Sequence, residues 1–306
     1  MTTSVLVTVP TQELLERLRP ELPDDVRLEV WPMEGPSGLG RIDLAVMPYM
    51  AKPQVLDILA GEEVSSVQAQ SLGYDDFDKH LPEGVVLANA VGVHEDATAE
   101  LTLGLVLAAE RGLDTYLREQ HEGEWTQRFH PGLIGRTVLL VGVGGVGKAI
   151  HRRLDAFSAT VVRAASRERT DEQGTVHGPE SLPELVSQAD VVILGMPLTD
   201  KTRGMFEADM MARMKQGALL VNIGRGPLVD TDALVEATRS GHIRAALDVM
   251  DPEPLPADHP LRQIDGVLIT PHVGGRSSSM DDRIVELVTG QVQRLVKGEE
   301  IDHRVL

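Results

Sequence analysis

Three polar clusters in the second half of the chain carry side chains suited to proton and carboxylate chemistry. They are Asn222-Ile223-Gly224-Arg225-Gly226, Asp248-Val249-Met250-Asp251-Pro252-Glu253-Pro254 and Thr270-Pro271-His272. A guanidinium such as Arg225 clamps a carboxylate through paired hydrogen bonds and polarises an adjacent carbonyl. An imidazole such as His272 gives a proton to an oxygen that becomes a hydroxyl, or takes it back. Glu253 can accept from the other ring nitrogen and so orient the ring. Each residue alone also has a bland reading: a surface charge, a packed ring, a proline-rich loop. Their order, at three successive strand ends, favours the joint catalytic reading.

A glycine turn lies upstream. Residues 138–141 form an apolar run, followed by Gly142-Val143-Gly144-Gly145-Val146-Gly147 and a helical pattern. This is the strand–turn–helix context of a dinucleotide fingerprint. Gly142 permits a tight turn, Gly144 lets the backbone approach a pyrophosphate, and Gly147 allows close helix–strand packing. The N–H groups and dipole of the helix start favour phosphate. The next strand sets the choice of cofactor. An NAD site usually ends it with Asp or Glu to bond the ribose 2′-hydroxyl. Here it ends Ala164-Ala165-Ser166-Arg167-Glu168-Arg169. Ser166 can bond a 2′-phosphate, and Arg167 or Arg169 can neutralise it. The reading is NADP(H) over NAD(H), with a solvated basic turn as the bland alternative. Residues 148–169 hold 6 basic and 2 acidic side chains, an island of positive charge in an acidic chain.

The elements that position these residues follow a βαβ rhythm. Strands are expected at residues 4–9, 26–30, 42–47, 64–69 and 85–88. A second series covers 137–141, 159–164, 191–194, 218–222, 244–247 and 267–269. Helices are expected at 11–19, 53–60, 146–157, 183–188, 207–213, 230–240 and 280–296. Residues 96–117 read as one long apolar helix, with Leu101, Leu105 and Ala108 on one face. The pattern implies an α/β protein with parallel sheets. Ligands in such sheets bind beyond the carboxyl ends of the strands.

Composition bounds the function. The chain has 306 residues, no cysteine and a net charge of -18. It is long enough for two domains. The absence of cysteine excludes a disulfide scaffold, a cysteine nucleophile and a thiolate zinc site, and no metal site is expected. With no basic leader at the start, it also favours a cytoplasmic location. The acidic balance argues against nucleic acid and anionic membranes as partners, and the apolar run at 101–109 is too short to span a bilayer.

The chain resembles the D-isomer-specific 2-hydroxyacid dehydrogenase family. The matching segments are the glycine turn, Met196-Pro197-Leu198-Thr199-Asp200-Lys201-Thr202, the clusters around Arg225, Glu253 and His272, and weaker matches at Gln70-Ser71-Leu72-Gly73 and Asn89-Ala90-Val91-Gly92. The resemblance implies that Arg225 binds the substrate carboxylate and carbonyl, and that His272 is the acid/base with Glu253 as its partner. It implies that backbone N–H groups at Leu72 and Gly73 hold the carboxylate, and that Asp248 with the backbone of Ile223 and Gly224 holds the nicotinamide carboxamide. Pro197 and Thr202 would line the ribose and phosphates. Gly224 and Met250 depart from the family's usual small side chain and aromatic. The ending at Ser166 and Arg167 resembles the NADP-preferring members.

The resemblance also implies two doubly wound domains. A Rossmann cofactor domain, residues 95–276, is inserted into a flavodoxin-like substrate domain, residues 1–94 with 277–306, and the active site lies between them. It implies a homodimer formed through the cofactor domain, with Trp125 either reaching the partner subunit or simply packing. The short stretch after residue 296 leaves no room for a further regulatory domain. Tyr49 follows a strand end and either faces the substrate or packs over the cleft. The leading function is an NADP(H)-dependent reductase of small 2-oxo acids of the glyoxylate or hydroxypyruvate type. Its rivals are oxidation of formate or phosphite on the same scaffold, and a non-catalytic, corepressor-like nucleotide sensor.

Overall fold

The segment Thr137–Val141 reads TVLLV, and its side chains alternate between two faces. Leu139 and Val141 enter one buried core, while Val138 and Leu140 enter another. A strand apolar on both sides needs helices on both sides, which is the condition of a parallel sheet. The computed structural model, which describes residues 5–306, contains two units built on such sheets.

The first unit comprises Met1–His94 and Ser277–Leu306. Its strands are β1 (Leu6–Val9), β2 (Arg27–Val30), β3 (Leu44–Val46), β4 (Ser66–Gln68) and β5 (Val86–Ala88). All pair in parallel, in the order β2-β1-β3-β4-β5, which is the flavodoxin order. Helix α1 (Gln12–Leu18) is capped by the Thr11 hydroxyl, which accepts the Leu14 N–H at 3.2 Å. Residue 4, expected in the first strand, lies outside the described residues.

The second unit is Glu95–Arg276. It runs α2 (Glu95–Arg111), α3 (Leu113–Glu122), β6 (Thr137–Val141), α4 (Gly145–Leu154), β7 (Thr160–Ala164), β8 (Arg169–Asp171) and β9 (Gly174–His177). There follow α5 (Leu182–Gln188), β10 (Val191–Leu194), α6 (Ala208–Ala212), β11 (Ala218–Asn222), α7 (Thr231–Arg239), β12 (Ile243–Leu247) and β13 (Val267–Ile269). The sheet order is β13-β12-β11-β10-β6-β7-β9-β8. From β9 to β12 this is the Rossmann order, and strand order reverses between β6 and β10. The edge strand β8 is antiparallel to β9.

The chain returns to the first unit in α8 (Met280–Val296), whose Ile284, Val288 and Val292 pack with Val7 and Val9 of β1. The last residues cover the open edge of β5: Leu87 donates to the Leu306 carbonyl at 3.0 Å, and Val305 donates to Leu87 at 2.9 Å. Covering an edge in this way blocks pairing with other chains.

One expectation needs correction. Residues 96–117 are two helices, because Gly112 takes the left-handed conformation (φ +63) and ends α2. The His130 ring lies where a Gly112 side chain would sit. The helix expected at 53–60 is present as a 3-10 helix, Pro53–Gly61. The β8–β9 hairpin was not expected at all; its first strand, Arg-Thr-Asp, lies at the surface and has no apolar signal.

Candidate active site

In a parallel sheet all carboxyl ends lie on one edge, and in the second unit that edge collects the polar clusters. Gly142 follows β6, Ser166 follows β7, Pro197 follows β10, Arg225 follows β11, Asp248 follows β12 and His272 follows β13. The sheet therefore aligns residues separated by more than a hundred positions in sequence.

The turn after β6 is closed on one side and open on the other. Gly142 has φ +109, and a side chain there would come within 2.6 Å of the Gly195 carbonyl carbon. At Gly144, the N-cap of α4, an added Cβ meets nothing within 4 Å. The backbone thus leaves room where a pyrophosphate must approach, next to Gly145, Val146 and Gly147 in the first turn of α4. These residues fit a dinucleotide.

After β7 the chain makes a short exposed loop. Ala165 donates to the His177 carbonyl at 2.9 Å, which ties the loop to β9. Ser166, Arg167 and Arg169 are exposed, and Arg169 donates to the Arg167 carbonyl at 3.3 Å. Beneath them lies a pair that sequence reasoning missed. The buried Arg163 makes two hydrogen bonds to Asp171, at 2.7 and 2.9 Å, and one to Gln173 at 3.3 Å. The Arg163 guanidinium holds the Asp171 carboxyl below its ordinary value. The positive island is correspondingly smaller than its sum. Arg152 and Arg153 both donate to Asp96, at 2.7 and 2.9 Å, and Arg163 is paired with Asp171.

Pro197 and Thr202 come together after β10, where the Thr202 hydroxyl donates to the Pro197 carbonyl at 2.9 Å. After β11, the buried Asn222 holds the next turn from both ends. Its amide donates to the Arg225 carbonyl at 2.9 Å, and its oxygen accepts the Gly224 N–H at 3.2 Å. Arg225 itself is half-buried and donates to the Gly224 carbonyl at 2.7 Å. A Cβ on Gly224 would lie 2.8 Å from the Met196 carbonyl oxygen, so a side chain there would need its neighbours to shift. Ile223 is buried beside it.

The structure brings His272 and Glu253 together. His272 Nδ1 lies 2.6 Å from Glu253 Oε1, with both side chains part-exposed. An ionised carboxylate only accepts, so Nδ1 carries the hydrogen and Nε2 is left for a second proton. His272 sits in a left-handed turn (φ +52), and its N–H donates to the Asp248 carbonyl at 2.9 Å. The Asp248 side chain accepts the Thr270 hydroxyl at 2.6 Å, the Val273 N–H at 2.9 Å and the Gly274 N–H at 2.8 Å. Asp248 therefore organises the His272 loop, and three of the roughly four acceptor positions of its carboxylate are already used.

Leu72, Gly73 and Tyr49 belong to the first unit, after β4 and β3. The Leu72 carbonyl accepts from Asn89 at 2.9 Å, and the Gly73 carbonyl accepts the Ser71 hydroxyl at 2.9 Å. Tyr49 packs on His94, with ring centroids 5.8 Å apart.

Residues 103–274 match the model of the D-isomer specific 2-hydroxyacid dehydrogenase NAD-binding domain. The chain belongs to that family. It is an NAD(P)-dependent oxidoreductase. A glyoxylate reductase of Korarchaeum cryptofilum is 31% identical over 308 aligned positions, covering 94% of this chain and 92% of that protein. A D-isomer specific 2-hydroxyacid dehydrogenase family protein of Aeromonas salmonicida superposes with a TM-score of 0.87 at 26% identity, over 99% of both chains. A family enzyme of Xanthobacter autotrophicus Py2, solved with NADPH and MES, has a TM-score of 0.83 at 26% identity, over 99% of this chain and 98% of that one. Among the described residues, no helix is long and apolar enough to cross a membrane.

Proposed function

We propose that this protein is an NADP(H)-preferring reductase of small 2-oxo acids, of the glyoxylate or hydroxypyruvate type. The observation that carries the reading is the 2.6 Å His272–Glu253 pair, on the same sheet edge as the glycine turn and Arg225. Glu95–Arg276 is the cofactor unit in this reading, and the remainder is the substrate unit.

Gly142, Gly144, Gly145, Val146 and Gly147 hold the pyrophosphate, and Pro197 and Thr202 line the sugars. Ser166, Arg167 and Arg169 take the 2′-phosphate. Ile223, Gly224 and Asp248 lie at the nicotinamide end. A bound reduced dinucleotide supplies the hydride. The chain supplies charge and position. Arg225 binds the carboxylate and polarises the ketone through its forked donors. Leu72 and Gly73 receive the carboxylate with backbone N–H groups. His272 gives its Nε2 proton to the oxygen that becomes the hydroxyl. Glu253 keeps the ring oriented and stabilises its charged form before the transfer. Tyr49 borders the substrate.

Five large apolar side chains are exposed on or just after α3: Leu113, Leu117, Trp125, Phe129 and Ile134. Apolar side chains left exposed on one unit favour burial against a second copy, so the working form in this reading is a homodimer.

The test is a panel of 2-oxo acids with NADPH and with NADH, followed by cofactor oxidation. Turnover of glyoxylate or hydroxypyruvate with higher kcat/KM for NADPH is expected. Turnover only with formate or phosphite, or cofactor binding with no turnover at all, overturns the reading.

A further inference from the structure

The turn holding Leu72 and Gly73 is part of neither a helix nor a strand, so other groups must hold its peptide planes. Three consecutive carbonyls are held. The Gln70 carbonyl lies 2.6 Å from His94 Nε2, the Ser71 carbonyl accepts the Ala90 N–H at 3.0 Å, and the Leu72 carbonyl accepts the Asn89 amide at 2.9 Å. A trans peptide is planar, so its N–H points opposite to its carbonyl. Fixing the carbonyls of residues 70, 71 and 72 therefore turns the N–H groups of Ser71, Leu72 and Gly73 the other way. Among the described residues these three N–H groups meet no acceptor.

His94 is the unusual member of this set. It is 5% exposed, and it is the last residue of the first unit before the chain enters α2. A carbonyl can only accept, so His94 Nε2 is the donor in this bond. Its ring also packs on Tyr49 at 5.8 Å with a 30° tilt. Gln70 is anchored a second time, because its side chain donates to the Met47 carbonyl at 2.7 Å, two residues before Tyr49. One buried imidazole thus touches both substrate-side elements of the unit.

We propose that His94 is a positioning residue for substrate carboxylate recognition. It fixes the Gln70 peptide, and with it the anion-binding turn, and holds Tyr49 in place. The inference rests on the reading that Leu72 and Gly73 receive the carboxylate. A small displacement of such donors is expected to weaken binding of the anion without touching the dinucleotide.

The experiment compares glyoxylate with glycolaldehyde, which lacks the carboxylate, as NADPH-dependent substrates of the full chain. His94→Phe keeps the volume and the Tyr49 contact but removes the donor, His94→Ala removes both, and His94→Gln restores an N–H donor. For His94→Phe and His94→Ala, KM for glyoxylate should rise about tenfold or more. The glyoxylate preference over glycolaldehyde should fall by the same factor, NADPH affinity should change less than about twofold, and His94→Gln should recover most of the loss. An unchanged glyoxylate preference in folded His94→Phe overturns the role of His94 while leaving the carboxylate reading intact. Equal losses with both substrates and NADPH also overturn it, since that is the mark of a purely structural residue. If the wild-type protein does not prefer glyoxylate over glycolaldehyde, the carboxylate reading fails and the inference falls with it.

Discussion

Asp248 accepts the backbone N–H of Gly274 at 2.8 Å from a position only 2% exposed to solvent. The same carboxylate takes the Val273 N–H and the Thr270 hydroxyl, so His272 is bracketed on both sides. A left-handed residue with a side chain is uncommon and needs surrounding bonds to hold it. Asp248 supplies them.

The Asp248→Asn variant keeps one acceptor oxygen and replaces the other with a donor facing an N–H. It should misplace His272 more than it disturbs the dinucleotide. We expect kcat to fall at least about tenfold, with a loss of about 1–3 kcal/mol in stability. Steady-state kinetics and urea unfolding measure the two effects. An unchanged kcat would leave Asp248 with no part in placing the ring.

His272→Ala should reduce kcat by about 10²–10⁴-fold, the usual worth of a positioned acid/base, with NADPH affinity nearly unchanged. Arg225→Ala should damage both kcat and KM for the 2-oxo acid, because the clamp acts in the ground state and the transition state. Arg225→Lys should recover only part of this, since an ammonium lacks the forked donors. Ordinary turnover by His272→Ala excludes the assignment.

The placement of Arg225, Glu253 and His272 on one sheet edge was legible because each sits in a short motif just after a strand, and the apolar runs marking those strands are strong. The parallel sheet then aligned them without any further signal. What was illegible depended on partners far away in sequence. Arg152 and Arg153 read as free positive charge, yet Asp96 pairs with them across more than fifty residues. Apolar spacing continues through Leu113 and Leu117, so it concealed the helix break at Gly112; the glycine itself was the available clue. Nothing in the sequence marks Arg163 or His94 as buried. Only the fold shows that they are buried, with Asp171 and the Gln70 carbonyl as their partners.

The loop after β7, proposed above to take a 2′-phosphate, is closed at its base by Arg163 and Asp171. Arg167→Ala should raise KM for NADPH about tenfold and leave KM for NADH almost unchanged, because the guanidinium has a phosphate to pair with in only one of the two cofactors. Asp171→Asn, which loosens the loop without removing a cation from it, should shift the same ratio by a smaller factor. Parallel titrations with both cofactors decide the matter. Equal effects on NADPH and NADH would exclude a 2′-phosphate site here.

Trp125 is 92% exposed on the isolated chain, with Phe129 and Ile134 nearby in sequence and also exposed. The paired substitution Trp125→Glu and Phe129→Glu should convert a dimer into monomers as seen by light scattering, because two buried charges would have no partners. A wild-type protein that is monomeric at micromolar concentration contradicts the homodimer.

Asp190 offers a test of pH-dependent stability away from the reaction. Burial opposes its ionisation. The Thr137 N–H at 2.8 Å, with Lys215 and Arg136 each at 3.0 Å, outweighs burial and holds its carboxyl below the ordinary value. A carboxyl group whose value is depressed in the folded state favours folding above its unfolded value of about 3.9. That contribution is lost as pH falls through the folded value, because the native state must then take up a proton. Asp190→Asn should therefore cost about 1–3 kcal/mol at pH 7, where the charged bonds to Lys215 and Arg136 are intact. The gap between the two proteins should narrow as pH drops below about 4. Urea unfolding at a series of pH values measures it. A gap that stays constant down to pH 3 would mean that the Asp190 charge contributes nothing, and that only the shape of the side chain holds the starts of β6 and β11 together.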